Sequence, residues 1–289
     1  MISFTGIWVP LVTPFHNGEI DFSVLRTLAQ RIAGSGVSGL VVCGSTGEAA
    51  ALNEDEQLAS LDAVLDAVPD CPVVMGLAGN NMAAMRAKLD KIQRRRIAGI
   101  LATAPYYIRP SQAGLVEYFR MLADASAVPL ILYDIPYRTG VAIALDTFRT
   151  LAQHERIVAL KDCGGNQSNT MSLITDGALN VLAGEDGQLL STVCLGGSGG
   201  ILASAHIRPD LFARIVQLVK AEQLNEAREI FYRLLPMIRL LFEEPNPGPL
   251  KAALAMMGEM RDELRAPMQT ASAEMKEKLV RELARLECL

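Results

Sequence analysis

Short apolar runs alternate along this chain with longer stretches of helical spacing. The runs GIWVPLVTP, GLVVC, PVVMGLA, AGILATA, VPLILYD, IVALK, LNVLAG and GGILAS are of strand length. They are continuous rather than alternating, which is how strands covered on both faces of a parallel sheet read. Between them, Leu25, Leu28, Ala29 and Ile32 follow the i, i+3, i+4, i+7 spacing of a buried helix face. Asn53 ahead of Glu54, Asp55 and Glu56 predicts an N-cap with an acidic first turn, and Leu58, Leu61, Leu65 and Val68 its apolar stripe. Ser111, after Pro110, opens another helix. Eight strands alternating with helices predict an α/β fold of the (β/α)8 TIM-barrel type. A doubly wound sheet usually has fewer strands and often a G-x-G-x-x-G turn after the first, and none follows IWVPLVTP. From about Asn225 the strand signal stops, and NEAREIFYRLLPMIRLLFEE, PLKAALAMMG and SAEMKEKLVRELARLECL all have helical patterns. The expected organisation is a barrel with the active site over residues 1–224 and a C-terminal helical domain over 225–289.

Composition narrows the function classes. Of the 289 residues, 50% are hydrophobic and 20% charged, which suits a globular protein with a large core. A net charge of −5 leaves no basic excess to neutralise phosphates and argues against nucleic acid as a partner. The one basic run, Arg94-Arg95-Arg96, reads as a solvated helix end. No stretch has the uninterrupted apolar length of a membrane span, and MISFTGIWVP lacks the basic start of a secretory signal. The five cysteines are scattered without a C-x-x-C pair, and there are only three histidines. Neither a disulfide framework nor a metal site is expected, and the expected setting is a reducing cytoplasm.

The barrel rule turns the strand list into a list of candidates, because active sites of such barrels lie at the carboxyl ends of the strands. The second strand ends in Gly44-Ser45-Thr46-Gly47-Glu48, the fourth in Pro105-Tyr106-Tyr107 and the fifth in Tyr133-Asp134. The sixth ends in Lys161 and the seventh in Gly184-Glu185-Asp186. Lys161 has two readings, the first exposed residue of a loop or an amine held at an inner rim. At a rim, desolvation disfavours its ammonium form and frees neutral amine to attack a carbonyl as a Schiff base. The protonated imine is an electron sink, so the adjacent carbon becomes acidic and can add to an aldehyde. Tyr133 and Tyr107 supply hydroxyls to carry protons, and Ser45 one that can link them. The backbone N–H groups of Ser45 and Thr46, in a glycine-flanked turn, suit a carboxylate. Arg138 can grip a second carboxylate bidentately. The run LGGSGG has two readings as well, close packing at barrel closure or a phosphate site for a sugar-phosphate aldolase.

Taken together, GSTGEAAALNEDE, APYYIRPSQAGL, LYDIPYRTG, ALKDCGGN and EPNPGPLK resemble the pyruvate-dependent class I aldolase family, which holds the dihydrodipicolinate synthases and N-acetylneuraminate lyases. The match runs through nearly the whole chain. The resemblance implies a lyase that condenses pyruvate with aspartate β-semialdehyde on the route to lysine and diaminopimelate, with no cofactor beyond the covalent imine. It places the Schiff-base lysine at Lys161, the proton-shuttling tyrosine at Tyr133 and the linking hydroxyl at Ser45. Tyr107 matches a second tyrosine that reaches a neighbouring subunit's site, and Thr46 a contact to the pyruvate carboxylate. Arg138 matches the arginine for the semialdehyde carboxylate, and Gly184 and Ile201 main-chain and lining positions. A homotetramer, built as a dimer of dimers, is implied.

The chain departs from the family pattern in places. Ser45 stands where many members have threonine, Asp134 replaces a frequent asparagine, and Tyr137 replaces a smaller residue beside Arg138. Feedback-inhibited members bind lysine with polar residues where this chain has Ala49, Glu54, Gln57 and Ala84; only Asn80 and Tyr106 remain. Weak or absent lysine inhibition is therefore expected. The alternatives weighed against the synthase are a pyruvate aldolase for another aldehyde, a sugar acid or an aromatic one, and a non-catalytic keto-acid sensor.

Overall fold

The computed structural model describes residues 3–289. Eight strands close into a barrel: β1 Gly6–Pro10, β2 Gly39–Val42, β3 Val73–Leu77, β4 Gly99–Thr103, β5 Leu130–Asp134, β6 Ile157–Asp162, β7 Asn180–Ala183 and β8 Gly199–Ile201. Each neighbours the next in sequence, and β8 returns to β1. After them in turn come helices α1 Phe22–Ala33, α2 Glu54–Ala67, α3 Met82–Ile92, α4 Gln112–Ala125, α5 Leu145–Leu151, α6 Gln167–Asp176, α7 Leu189–Cys194 and α8 Pro209–Lys220. Three more follow, α9 Leu224–Leu240, α10 Gly248–Met256 and α11 Ala273–Arg285. The expected (β/α)8 barrel with C-terminal helices is the fold of the protein.

Local signals in the sequence account for most of these elements. The buried face of α1 is Leu25, Leu28, Ala29 and Ile32, and Asp21 caps it by accepting from Val24 N–H. Asn53 forms a reciprocal capping box with Glu56 at the start of α2, and Ser111 caps α4. Of the stripe expected for α2, Leu61 and Val68 are buried, but the inward face extends over other positions. Its buried residues are Gln57, Ser60, Leu61, Ala63 and Val64, while Leu58 and Leu65 are only half-buried. Small residues let this face pack closely, and Gln57 is tolerated inside because its amide donates to the carbonyls of Ala49 and Leu52.

The glycine run before β8 serves a close approach. Gly199 has φ +145°, and a Cβ placed there would lie 1.9 Å from the carbonyl oxygen of Gly6. Only glycine fits.

Contacts group the chain into two compact units. One comprises residues up to Gly6 with Pro72–Ile201, the other Ile7–Cys71 with Leu202–Leu289. The C-terminal helices thus belong with the first two helices and the turn after β2. Among the described residues, no helix is long and apolar enough to cross a membrane.

Candidate active site

In the first unit, β5 and β6 set the positions of the candidate groups. Leu130 pairs with Ile157 but Ile131 pairs with Ala159, so one residue of β6 is skipped. Downstream of this bulge, Tyr133 stands opposite Lys161 and Asp134 opposite Asp162. Partners in register project to the same side of a sheet, so Tyr133 and Lys161 share one face and Asp134 and Asp162 the other. Lys161 Nζ lies 4.2 Å from the centroid of the Tyr133 ring. Both side chains are buried, Lys161 at 5% exposure. Burial lowers the Lys161 pKa, the Arg138 guanidinium acts in the same direction, and Asp186 and Glu185 oppose it. The exposed-loop reading of Lys161 fails on this burial.

Gly184, just past β7, is shaped around the lysine. A Cβ there would lie 2.9 Å from Lys161 Cγ, 2.9 Å from the Asp162 carbonyl oxygen and 2.4 Å from Cys163 Sγ. Gly184→Ala is expected to destabilise the fold by about 1–3 kcal/mol through overpacking and to displace the Lys161 stem. A fall in both melting temperature and turnover, read by thermal unfolding and steady-state kinetics, checks this. Ile201 ends β8 as a buried apolar residue.

On the other face, Asp134 is 4% exposed, and its Oδ1 accepts from the Ile143 N–H at 3.2 Å. This bond ties down the far end of the segment that carries Arg138, which sits on the short helix Pro136–Thr139. Arg138 itself is exposed, its guanidinium 5.5 Å from the Tyr137 ring centroid. Asp162 accepts from the Thr170 hydroxyl at 2.5 Å and from Gly164 N–H at 2.9 Å. Desolvation raises the Asp134 pKa to about 7, against the Ile143 hydrogen bond, and the nearby Asp162 charge adds to the rise.

Tyr107 is not brought into this cluster. Its ring is 90% exposed, its φ is +72°, and its N–H donates to the Thr139 carbonyl. The preceding Tyr106 is tied by both backbone groups to the Asn80 amide, at 3.0 and 3.1 Å. The loop thus fixes an aromatic side chain facing outward, in a left-handed conformation that costs about 1–3 kcal/mol for a non-glycine residue.

In the second unit, the turn after β2 carries Ser45 and Thr46. Cys43 and Glu48 flank it with φ of +56° and +52°. Gly47 is required because a Cβ would lie 2.8 Å from the Leu11 carbonyl oxygen, and its own carbonyl accepts from Thr13 at 2.7 Å. Ser45 is half-buried and Thr46 buried. Glu48 forms a fully buried ion pair with Lys251 on α10 and accepts from the Arg265 N–H. Lys251 also donates to the Glu263 carbonyl and stands 4.2 Å from the Phe15 ring centroid. Removing one partner of such a pair costs about 3–5 kcal/mol, because the other charge is left buried and unpaired. Asn246 Nδ2 donates to Thr46 Oγ1 at 3.2 Å. Asn246 and Lys251 lie within EPNPGPLK, which sequence reading left without a role. A lysine inside the apolar helix PLKAALAM was the available signal.

A profile of the dihydrodipicolinate synthetase family matches residues 3–286. A Haloarcula marismortui protein named 4-hydroxy-tetrahydrodipicolinate synthase is 39% identical over 293 residues, covering 99% of this chain and 95% of its own length. A crystal structure of a dihydrodipicolinate synthase superposes with a TM-score of 0.96 at 34% identity, covering 99% of this chain and all of that one. A dihydrodipicolinate synthase variant described as monomeric gives 0.95 at 29% identity, covering 99% of this chain and 98% of its own. A barrel with a buried strand-end lysine against a tyrosine, and likeness along its whole length, lead to one conclusion: the chain belongs to the dihydrodipicolinate synthetase family.

Proposed function

We propose that this enzyme is a 4-hydroxy-tetrahydrodipicolinate synthase, condensing pyruvate with aspartate β-semialdehyde through an imine on Lys161. The observation that carries this reading is the buried, pKa-lowered Lys161 amine 4.2 Å from the Tyr133 ring. The neutral amine attacks the pyruvate ketone, and water leaves to give the protonated imine. Loss of a methyl proton converts the imine to an enamine, whose carbon forms the new bond to the aldehyde while the aldehyde oxygen takes a proton. The amino group of the semialdehyde then attacks the imine carbon, closing the ring and releasing Lys161. No cofactor is required, because the imine itself accepts the electrons.

The roles follow the chemistry. Tyr133 moves protons beside the imine, and Ser45 links it to a second tyrosine, the Tyr107 supplied by a neighbouring copy of the chain. Thr46 and the turn N–H groups hold the pyruvate carboxylate, Arg138 grips the semialdehyde carboxylate, and Gly184 and Ile201 line the site. The enzyme acts in the cytoplasm as a homotetramer, a dimer of dimers. The outward Tyr107, beside the exposed Tyr106 and Ile108, supports an assembly in which a second copy covers this loop.

The test is the initial rate with pyruvate and aspartate β-semialdehyde, coupled to the NADPH-dependent reductase. Turnover of the order of 1–10³ per second is expected, as for typical enzymes. A negligible rate removes this aldehyde. In the same assay, millimolar lysine is expected to leave the rate unchanged, since the Gln57 amide is spent on the backbone and Ala49 and Ala84 offer no polar side chain. A submillimolar inhibition constant overturns this.

A further inference from the structure

The EPNPGPLK segment and the turn after β2 meet twice within the second unit, at Asn246–Thr46 and Lys251–Glu48. The two contacts differ in kind. Lys251 and Glu48 make a buried, charge-neutralised anchor that sets where the turn lies. Asn246 makes one directional hydrogen bond to the hydroxyl of Thr46, a residue only 4% exposed. A threonine hydroxyl has one proton and two lone pairs. With Asn246 Nδ2 donating to Thr46 Oγ1, one lone pair is taken and the proton is directed elsewhere. Asn246 Oδ1, meanwhile, is buried and accepts from no group of the protein. The amide is therefore committed to Thr46 through its donor alone.

We propose that Asn246 is a positioning residue that turns the Thr46 hydroxyl into a donor toward the substrate carboxylate, and that Pro245–Lys251 is the strap that holds it there. This rests on the reading of Thr46 as a pyruvate-carboxylate contact. It assigns part of the substrate site to the helical segment after the barrel, well away in sequence from every strand end. An uncorrected Thr46 hydroxyl samples other directions, and a hydroxyl pointing its oxygen at a carboxylate repels it. The effect therefore belongs to pyruvate binding rather than to the chemical step.

Asn246→Asp decides the matter because it keeps the shape and reverses the polarity: a carboxylate accepts the Thr46 proton instead of donating to its oxygen. Asn246→Asp is expected to raise KM for pyruvate by about tenfold or more, with a smaller change in kcat, and Asn246→Ala to do so by about tenfold. In a Thr46→Val background, adding Asn246→Ala is expected to cause no further rise, because the group it acts through is gone. Melting temperatures within a few degrees of the parent establish that the variants are folded, and if Asn246→Ala is not, the Asp pair with and without Thr46→Val carries the test. A wild-type KM for Asn246→Asp overturns the proposal, since the amide would then be accepting. So does a rise of equal size with and without Thr46→Val, which marks a general structural role. Failure of the wild type to form a borohydride-trapped pyruvate adduct is a different outcome, which overturns the pyruvate reading beneath it.

Discussion

Lys161→Ala is expected to form no borohydride-stable adduct with pyruvate and to lose the condensation by a factor of about 10³ or more. The magnitude follows from the kind of step removed. A positioned nucleophile splits one difficult reaction into two easier ones, and its deletion typically costs several orders of magnitude in turnover. The fold should survive, because truncation removes a buried amine whose charged form is disfavoured where it sits, leaving Tyr133 and the strand in place. Intact-protein mass after borohydride, with and without pyruvate, reads the first half, and the coupled rate reads the second. An adduct that persists in Lys161→Ala would move the nucleophile to another amine. An adduct that disappears while turnover stays near wild type would divorce the imine from catalysis.

Asp134→Asn is expected to stabilise the protein, and to do so only above acidic pH. The carboxyl is raised from an ordinary 3.8 to about 7, chiefly by desolvation. Below pH 3.8 both folded and unfolded chains hold the proton, and the group exerts no pH dependence. Between 3.8 and 7 the unfolded chain releases its proton while the folded one keeps it, so stability falls as pH rises. Above 7 the folded protein carries a buried carboxylate, and the loss levels off at a ceiling of about 4 kcal/mol. Asparagine keeps an oxygen to accept from Ile143 and cannot ionise. The variant should therefore match the parent near pH 4 and exceed it at pH 8, read from urea unfolding at the two values. Equal stability at pH 8, or a loss there, would mean that the carboxylate is compensated. A pair of acidic side chains on one face, Asp134 and Asp162 beyond the bulge, is the reason compensation is not expected.

Asp134 shows how far a sequence reading reaches. Its replacement of a frequent asparagine is legible in the sequence, but where its carboxyl lies is not. In the fold its side chain points the other way from Tyr133, toward Ile143 and Gly164, and the consequence is one of charge burial. The same limit shows in α2, where counting leucines finds Leu61 but misses the small residues and the backbone-satisfied glutamine that share its buried face. The contacts of Asn246 and Lys251 escape a sequence reading for another reason. Their partners Thr46 and Glu48 lie about two hundred positions earlier, and no periodicity links residues that meet only through the return of the chain.

Local physics settled the rest. Apolar runs buried on both faces, caps at Asn53 and Ser111, and the period of α1 are written in neighbouring residues, so the strands and helices and their alternation follow from the chain read in order. The place of Lys161 at a strand end follows from that alternation too. The tertiary structure alone decided that its amine is buried against Tyr133, since a skipped residue in β6 brings the two into register. It also decided that Tyr107 faces outward and that the last quarter of the chain braces the turn bearing Ser45 and Thr46. Register, burial and ion pairing depend on what lies across space from a residue, and only closure of the chain on itself brings those partners together.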